Sequence, residues 1–73
     1  MTNRYALNVF WSEADGGWIA YAPDLISCST FGATPEQAVA ELRVAIEAWL
    51  AAAREAGLAI PEACYKPHHE AAE

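Results

Sequence analysis

Positive charge is scarce in this chain. Four Lys and Arg stand against ten Asp and Glu, a net charge of −6. A domain that binds nucleic acid unaided normally presents a basic patch, so the balance argues against direct DNA binding. It suits a partner of opposite sign, because complementary potentials speed encounter and penalise wrong partners. The plainer reading is charge that keeps a small protein soluble. Long apolar runs are also missing: none approaches the roughly 20 residues a bilayer span needs. Met1-Thr2-Asn3-Arg4 has no apolar signal region, so a cytoplasmic protein without membrane contact is expected. Cysteine is limited to Cys28 and Cys64, expected as free thiols in a cytosolic chain.

What is abundant is apolar material. The 73 residues are 55% hydrophobic, with three Trp, three Tyr and two Phe. A chain this short buries only about 60% of its unfolded surface, so a dimer or higher homo-oligomer is expected to supply missing core.

The chain divides into short alternating segments and one long periodic one. From Arg4 to Trp11, Tyr5, Leu7, Val9 and Trp11 share one face of a predicted strand, with Ala6, Asn8 and Phe10 on the other. Ser12 to Gly17 is rich in turn formers. A second strand, Trp18 to Ala22, ends where Pro23 withdraws a ladder donor. Pairing Trp11 with Trp18 sets Val9 against Ala20, Phe10 against Ile19, Asn8 against Tyr21 and Leu7 against Ala22. Leu7, Val9, Trp18, Ala20 and Ala22 are then expected to face a helix. Ser27 to Phe31 reads as a third strand ended by Gly32.

Thr34-Pro35-Glu36-Gln37 is a helix start. Thr34 is a preferred N-cap, Pro35 sits where its missing N–H costs nothing, and Gln37 completes a capping box. An apolar stripe follows through Ala38, Leu42, Ala45, Ile46, Trp49 and Ala53. Gly57 is placed to stop the helix and Pro61 forbids its continuation. A helix over Pro35 to Ala56 runs roughly 33 Å, against about 17–27 Å for strands of five to eight residues. Its Trp49 to Ala53 end should therefore overhang the sheet. One helix covers one sheet face, which leaves Phe10, Ile19 and Tyr21 seeking cover. Leu58 to Ile60 is expected either as a short fourth strand or packed across the helix end. The expected fold is α+β: an antiparallel three-stranded meander packed by one long helix, within a domain over residues 1–62. Residues 63–73 read as a mobile tail.

The order of these pieces resembles the HicB family. Gly17-Trp18-Ile19-Ala20-Tyr21-Ala22-Pro23-Asp24-Leu25 is similar to the family's hairpin strand and Pro-Asp-Leu turn. Cys28 and then Phe31-Gly32-Ala33-Thr34-Pro35-Glu36-Gln37-Ala38 resemble its Gly-Cys and Gly-Asp-Thr-x-Glu-Glu-Ala segments, and Ile60-Pro61-Glu62 its Ile-Pro segment. The likeness covers about residues 4 to 62. Ile26-Ser27 stands where the family usually has Pro-Gly, Ala33 replaces its Asp, and Gln37 its second acidic residue. The resemblance implies a partial RNase H-like βββαβ fold. It also implies an antitoxin that binds and neutralises a small basic HicA-type toxin that cleaves messenger RNA. Many members add a DNA-binding domain; the residues after 62 are too few for one, so DNA binding is not carried over.

Chemistry of other kinds finds little support. A nuclease of RNase H type needs several carboxylates around two metal ions, and the strand Tyr5 to Trp11 holds none. Cys28 has no neighbouring base to activate it and reads as a core thiol. Cys64, His68 and His69 are ligand types that zinc accepts, but a closed site needs four. No enzyme activity, metal or cofactor is expected. The residues expected to meet a partner are Glu13, Asp15 and Asp24 with Trp11 and Tyr21. Phe10, Ile19 and Trp49 are expected in the core or a dimer contact, since interface cores favour aromatics. The alternative reading is an orphan homodimeric scaffold or small-ligand-binding protein of the same fold.

Overall fold

A computed structural model describes residues 4–65. Its elements are strands β1 (Asn8–Ser12), β2 (Gly17–Tyr21) and β3 (Ser29–Gly32), then helix α1 (Pro35–Glu55). The strands form one antiparallel sheet in the order β1-β2-β3, so the architecture is α+β.

The hairpin register is the one the alternation predicts. Trp11 pairs with Trp18, Phe10 with Ile19, Val9 with Ala20 and Asn8 with Tyr21, and the ladder continues without a bulge to Ser12 and Gly17. Side chains on a strand alternate between faces. Trp18, Ala20 and the following Ala22 therefore turn toward α1, and Ala20 and Ala22 are buried beneath it. Val9 shares that face but stays 40% exposed. The helix lies over β2 and β3 and only grazes β1, which corrects the expectation that Val9 would be covered.

Gly32 explains this placement. A Cβ there would stand 2.9 Å from Ala38 Cα and 3.0 Å from the Gln37 carbonyl carbon, and closer still to Ala38 N. Only a residue without a side chain lets β3 meet the first turn of α1 so closely. Thr30 Oγ1 seals the junction by donating to Ala38 O at 2.8 Å. Gly32 is thus the last residue of β3 and its contact with α1.

The helix starts as its sequence dictates. Thr34 Oγ1 accepts from Gln37 N at 3.0 Å. Gln37 Oε1 reaches back one residue further than a capping box requires, accepting from Ala33 N at 2.9 Å. At the other end Gly57 takes φ +74, Gly57 N donates to Arg54 O and Leu58 N to Ala53 O. That pair of bonds is a Schellman motif.

The buried face of α1 is Ala38, Leu42, Ile46, Leu50 and Ala53, so Leu50 joins the predicted stripe while Ala45 and Trp49 flank it. The C-terminal half of the helix finds its cover in segments outside the strands. The loop between β2 and β3 supplies Leu25 and Cys28, and the segment before β1 supplies Tyr5 and Leu7, to the same core. Leu58 to Ile60 form no strand. Leu58 N is committed to the helix end and the chain then returns toward the segment before β1, where Tyr5 OH donates to Pro61 O.

The third strand begins two residues later than the sequence suggests, at Ser29. Ser27 has φ 59, a left-handed conformation that interrupts extended backbone. Ala22 N donates to Cys28 O and Leu25 N to Ala22 O, which folds Pro23 to Ser27 into a compact loop with Leu25 pointing inward at 2% exposure.

Candidate functional site

Two surfaces gather the residues singled out above. The first is the tip of the β1–β2 hairpin. Trp11 stacks edge-to-face on Trp18, centroids 5.6 Å apart at 74°, and its Nε1 donates to Glu13 Oε2 at 3.1 Å. Ser12 Oγ donates to Asp15 Oδ2 at 2.8 Å. The turn thereby holds both carboxylates in place, and both are exposed. An aromatic flanked by two fixed acids is suited to meeting a cationic surface.

The second surface is the sheet face opposite α1. Phe10, Ile19 and Phe31 lie side by side across the three strands, and Phe10 and Phe31 are about half exposed. The Phe31 ring covers Gly17. Tyr21 meets Phe10 edge-on, centroids 6.3 Å apart, and its OH accepts from Asn8 Nδ2 at 3.1 Å. Sequence reasoning placed Phe10, Ile19 and Tyr21 here and missed Phe31. The signal was present, because Phe31 must share a face with Ile19 once β3 pairs with β2.

Asp24 and Trp49 belong to neither surface. Asp24 lies at the far end of β2 from Glu13 and Asp15, roughly 15 Å away by strand rise. Its Oδ2 accepts from Cys64 N at 3.1 Å and Tyr65 N at 3.2 Å, and Cys64 Sγ donates to Oδ1 at 3.4 Å. The Pro-Asp-Leu turn thus ties down the segment that follows the helix. Trp49 is half-buried, and its Nε1 donates to Ile26 O at 3.0 Å, which fastens α1 to the same loop.

Both cysteines are free. Burial raises the Cys28 thiol above its ordinary value. The Cys64 thiol is raised chiefly by its hydrogen bond to Asp24 and by that carboxylate's charge. Neither favours a thiolate nucleophile. Among the described residues no three His, Cys, Asp or Glu side chains converge on a common point; His68 and His69 lie outside them. A groove of about 390 Å³ beside the β2–β3 loop, with Tyr21, Pro23, Ile26 and Ser29 among its walls, carries no charged side chain. No helix among the described residues is long and apolar enough to cross a membrane.

No protein-family model matches this chain, and neither a curated protein nor a solved structure is detectably similar to it.

Proposed function

We propose that this chain is a HicB-like antitoxin of partial RNase H-like fold, a cytoplasmic, non-enzymatic protein that binds and neutralises a small basic HicA-type toxin. The observation that carries the reading is Ser27. It stands where the family has glycine, and it holds φ 59, the backbone region glycine adopts without cost. A backbone of that hand at the family's glycine position is compatible with the loop that its Pro-Gly pattern implies. The other motif residues have structural work that fits the same reading. Leu25 anchors the loop, Gly32 seats the helix, and Thr34 caps it.

The hairpin tip is the surface offered to the toxin. A basic, RNA-cleaving protein presents cations to its substrate, and Glu13 and Asp15 beside Trp11 can occupy them as a phosphate backbone would. Neutralisation is then occlusion, and it needs no catalytic group on this chain.

The test is co-expression with a small basic reading frame adjacent to the gene. Copurification, growth arrest by that partner alone, and loss of complex in Glu13→Lys/Asp15→Lys are the expected results. A partner that binds both proteins equally well sinks the hairpin assignment. Absence of any complex with a toxic basic neighbour sinks the antitoxin reading and leaves the orphan scaffold.

A further inference from the structure

Three consecutive apolar residues of β1 are exposed: Val9 at 40%, Phe10 at 47% and Trp11 at 46%. They cannot all be waiting for a layer to cover one face. Phe10 points to the open face, while Val9 and Trp11 point to the face that carries α1, since successive strand side chains alternate. Exposure on both faces of one strand marks a missing neighbour in the sheet. β1 is an outer strand, and no strand among the described residues pairs with its free side.

Soluble proteins usually blunt such an edge with Lys, Pro, a bulge or an inward-pointing charge. β1 has none of these: its sequence is Asn8-Val9-Phe10-Trp11-Ser12 and its register is unbroken. The strand is also free of charge in a chain whose net charge is −6. A basic partner would find no charge within β1 itself, because Glu13 lies in the turn beyond it, whereas a second copy in antiparallel register keeps the two Glu13 side chains at opposite ends and brings no carboxylate against a carboxylate. A strand that is neutral, unbulged and apolar on both faces complements itself under a two-fold axis.

We propose that two copies of this chain pair along β1, antiparallel, to form a continuous six-stranded sheet. The full-overlap register sets Phe10 opposite its own copy and Val9 opposite Trp11. Half-exposed aromatics of about 150–250 Å² each, together with Val9 and the strand backbone, bring the interface only to the small end of specific contacts. The dimer is therefore weak, with a dissociation constant of about micromolar. The proposal does not depend on the antitoxin reading, because its test uses the chain alone.

The experiment is sedimentation equilibrium of the full chain over a concentration series, with Phe10→Lys and Phe31→Lys as variants and circular dichroism as the folding control. A wild-type dimer whose dissociation constant rises about a hundredfold in Phe10→Lys, with Phe31→Lys close to wild type, is the expected result. A wild-type chain that stays monomeric to about millimolar concentration overturns the proposal. So does equal weakening by Phe31→Lys, which places the contact on the sheet face rather than its edge. Should Phe10→Lys fail to fold, a half-labelled wild-type sample decides: cross-chain backbone contacts within Asn8–Ser12 uphold the pairing and their absence overturns it.

Discussion

Replacing Gly32 by Ala is the sharpest probe of how this fold is assembled. The new methyl would lie 2.9 Å from Ala38 Cα and 3.0 Å from the Gln37 carbonyl carbon, against an ordinary carbon–carbon separation of about 3.5–4.0 Å. The atoms in the way are helix backbone, so no side-chain rotation can relieve the contact. The first turn of α1 must retreat by about 1 Å, at the cost of overpacking, about 1–3 kcal/mol. That movement also stretches the Thr30–Ala38 hydrogen bond. Weakening that bond adds about 0.5–1 kcal/mol and alanine recovers about 0.4–1 kcal/mol by restricting the unfolded chain, which leaves a net loss of about 2 kcal/mol. Total stability for 73 residues is about 4–11 kcal/mol, so the loss is a sizeable share. Thermal unfolding should fall by about 10 °C, and urea titration should give the same free-energy change. Gly57→Ala is the control. Gly57 has φ +74 with open space where a Cβ would go, so alanine there meets only backbone strain, about 1 kcal/mol. A Gly32→Ala variant within about 0.5 kcal/mol of wild type would mean that β3 and α1 do not approach as described.

Ser27→Gly should stabilise the protein by about 0.5 kcal/mol, as relief of left-handed strain outweighs the added freedom of the unfolded chain; Ser27→Val should destabilise it, and urea midpoints of the pair give the sign. Trp49→Phe removes the hydrogen bond to Ile26 O while keeping an aromatic ring. It should cost about 1 kcal/mol by urea titration, and a loss above about 3 kcal/mol would place Trp49 in the core instead. Its hydrogen bond to Asp24 and that carboxylate's charge raise the Cys64 thiol above its ordinary value, so its proton is held in the folded state. The stabilisation tied to that proton is fully present below the unfolded-state pKa and is lost as pH rises through the folded one. Asp24→Asn removes the charge, so the pH midpoint for alkylation of Cys64 should move down; an unchanged midpoint would deny the contact.

Much of the fold was legible because local rules govern it. Period-two alternation and a turn-rich connection set the Trp11–Trp18 register, and a one-residue slip would have turned every apolar side chain to the wrong face. Thr34, Pro35 and Gly57 bound α1 to within a residue, because helix ends are made by the chemistry of a few adjacent positions. The candidate surfaces were half legible. Glu13, Asp15 and Trp11 are neighbours in sequence and so fall together, and Phe10 and Ile19 follow from the register. Phe31 joins them only through the pairing of β3 with β2, which sets it opposite Ile19 and which the alternation within a single strand does not specify.

The chain's own sequence determined its segments: which residues extend, which coil, and where each element begins and stops. Tertiary structure decided how they lie together. That α1 sits over β2 and β3, leaving Val9 and Trp11 at an open edge, depends on the space that Gly32 makes for Ala38. That Asp24 holds Cys64 and Tyr65, 40 and 41 residues away, depends on where the helix delivers the chain. Contacts of that kind arise only after loops close and surfaces meet, and no local pattern encodes them.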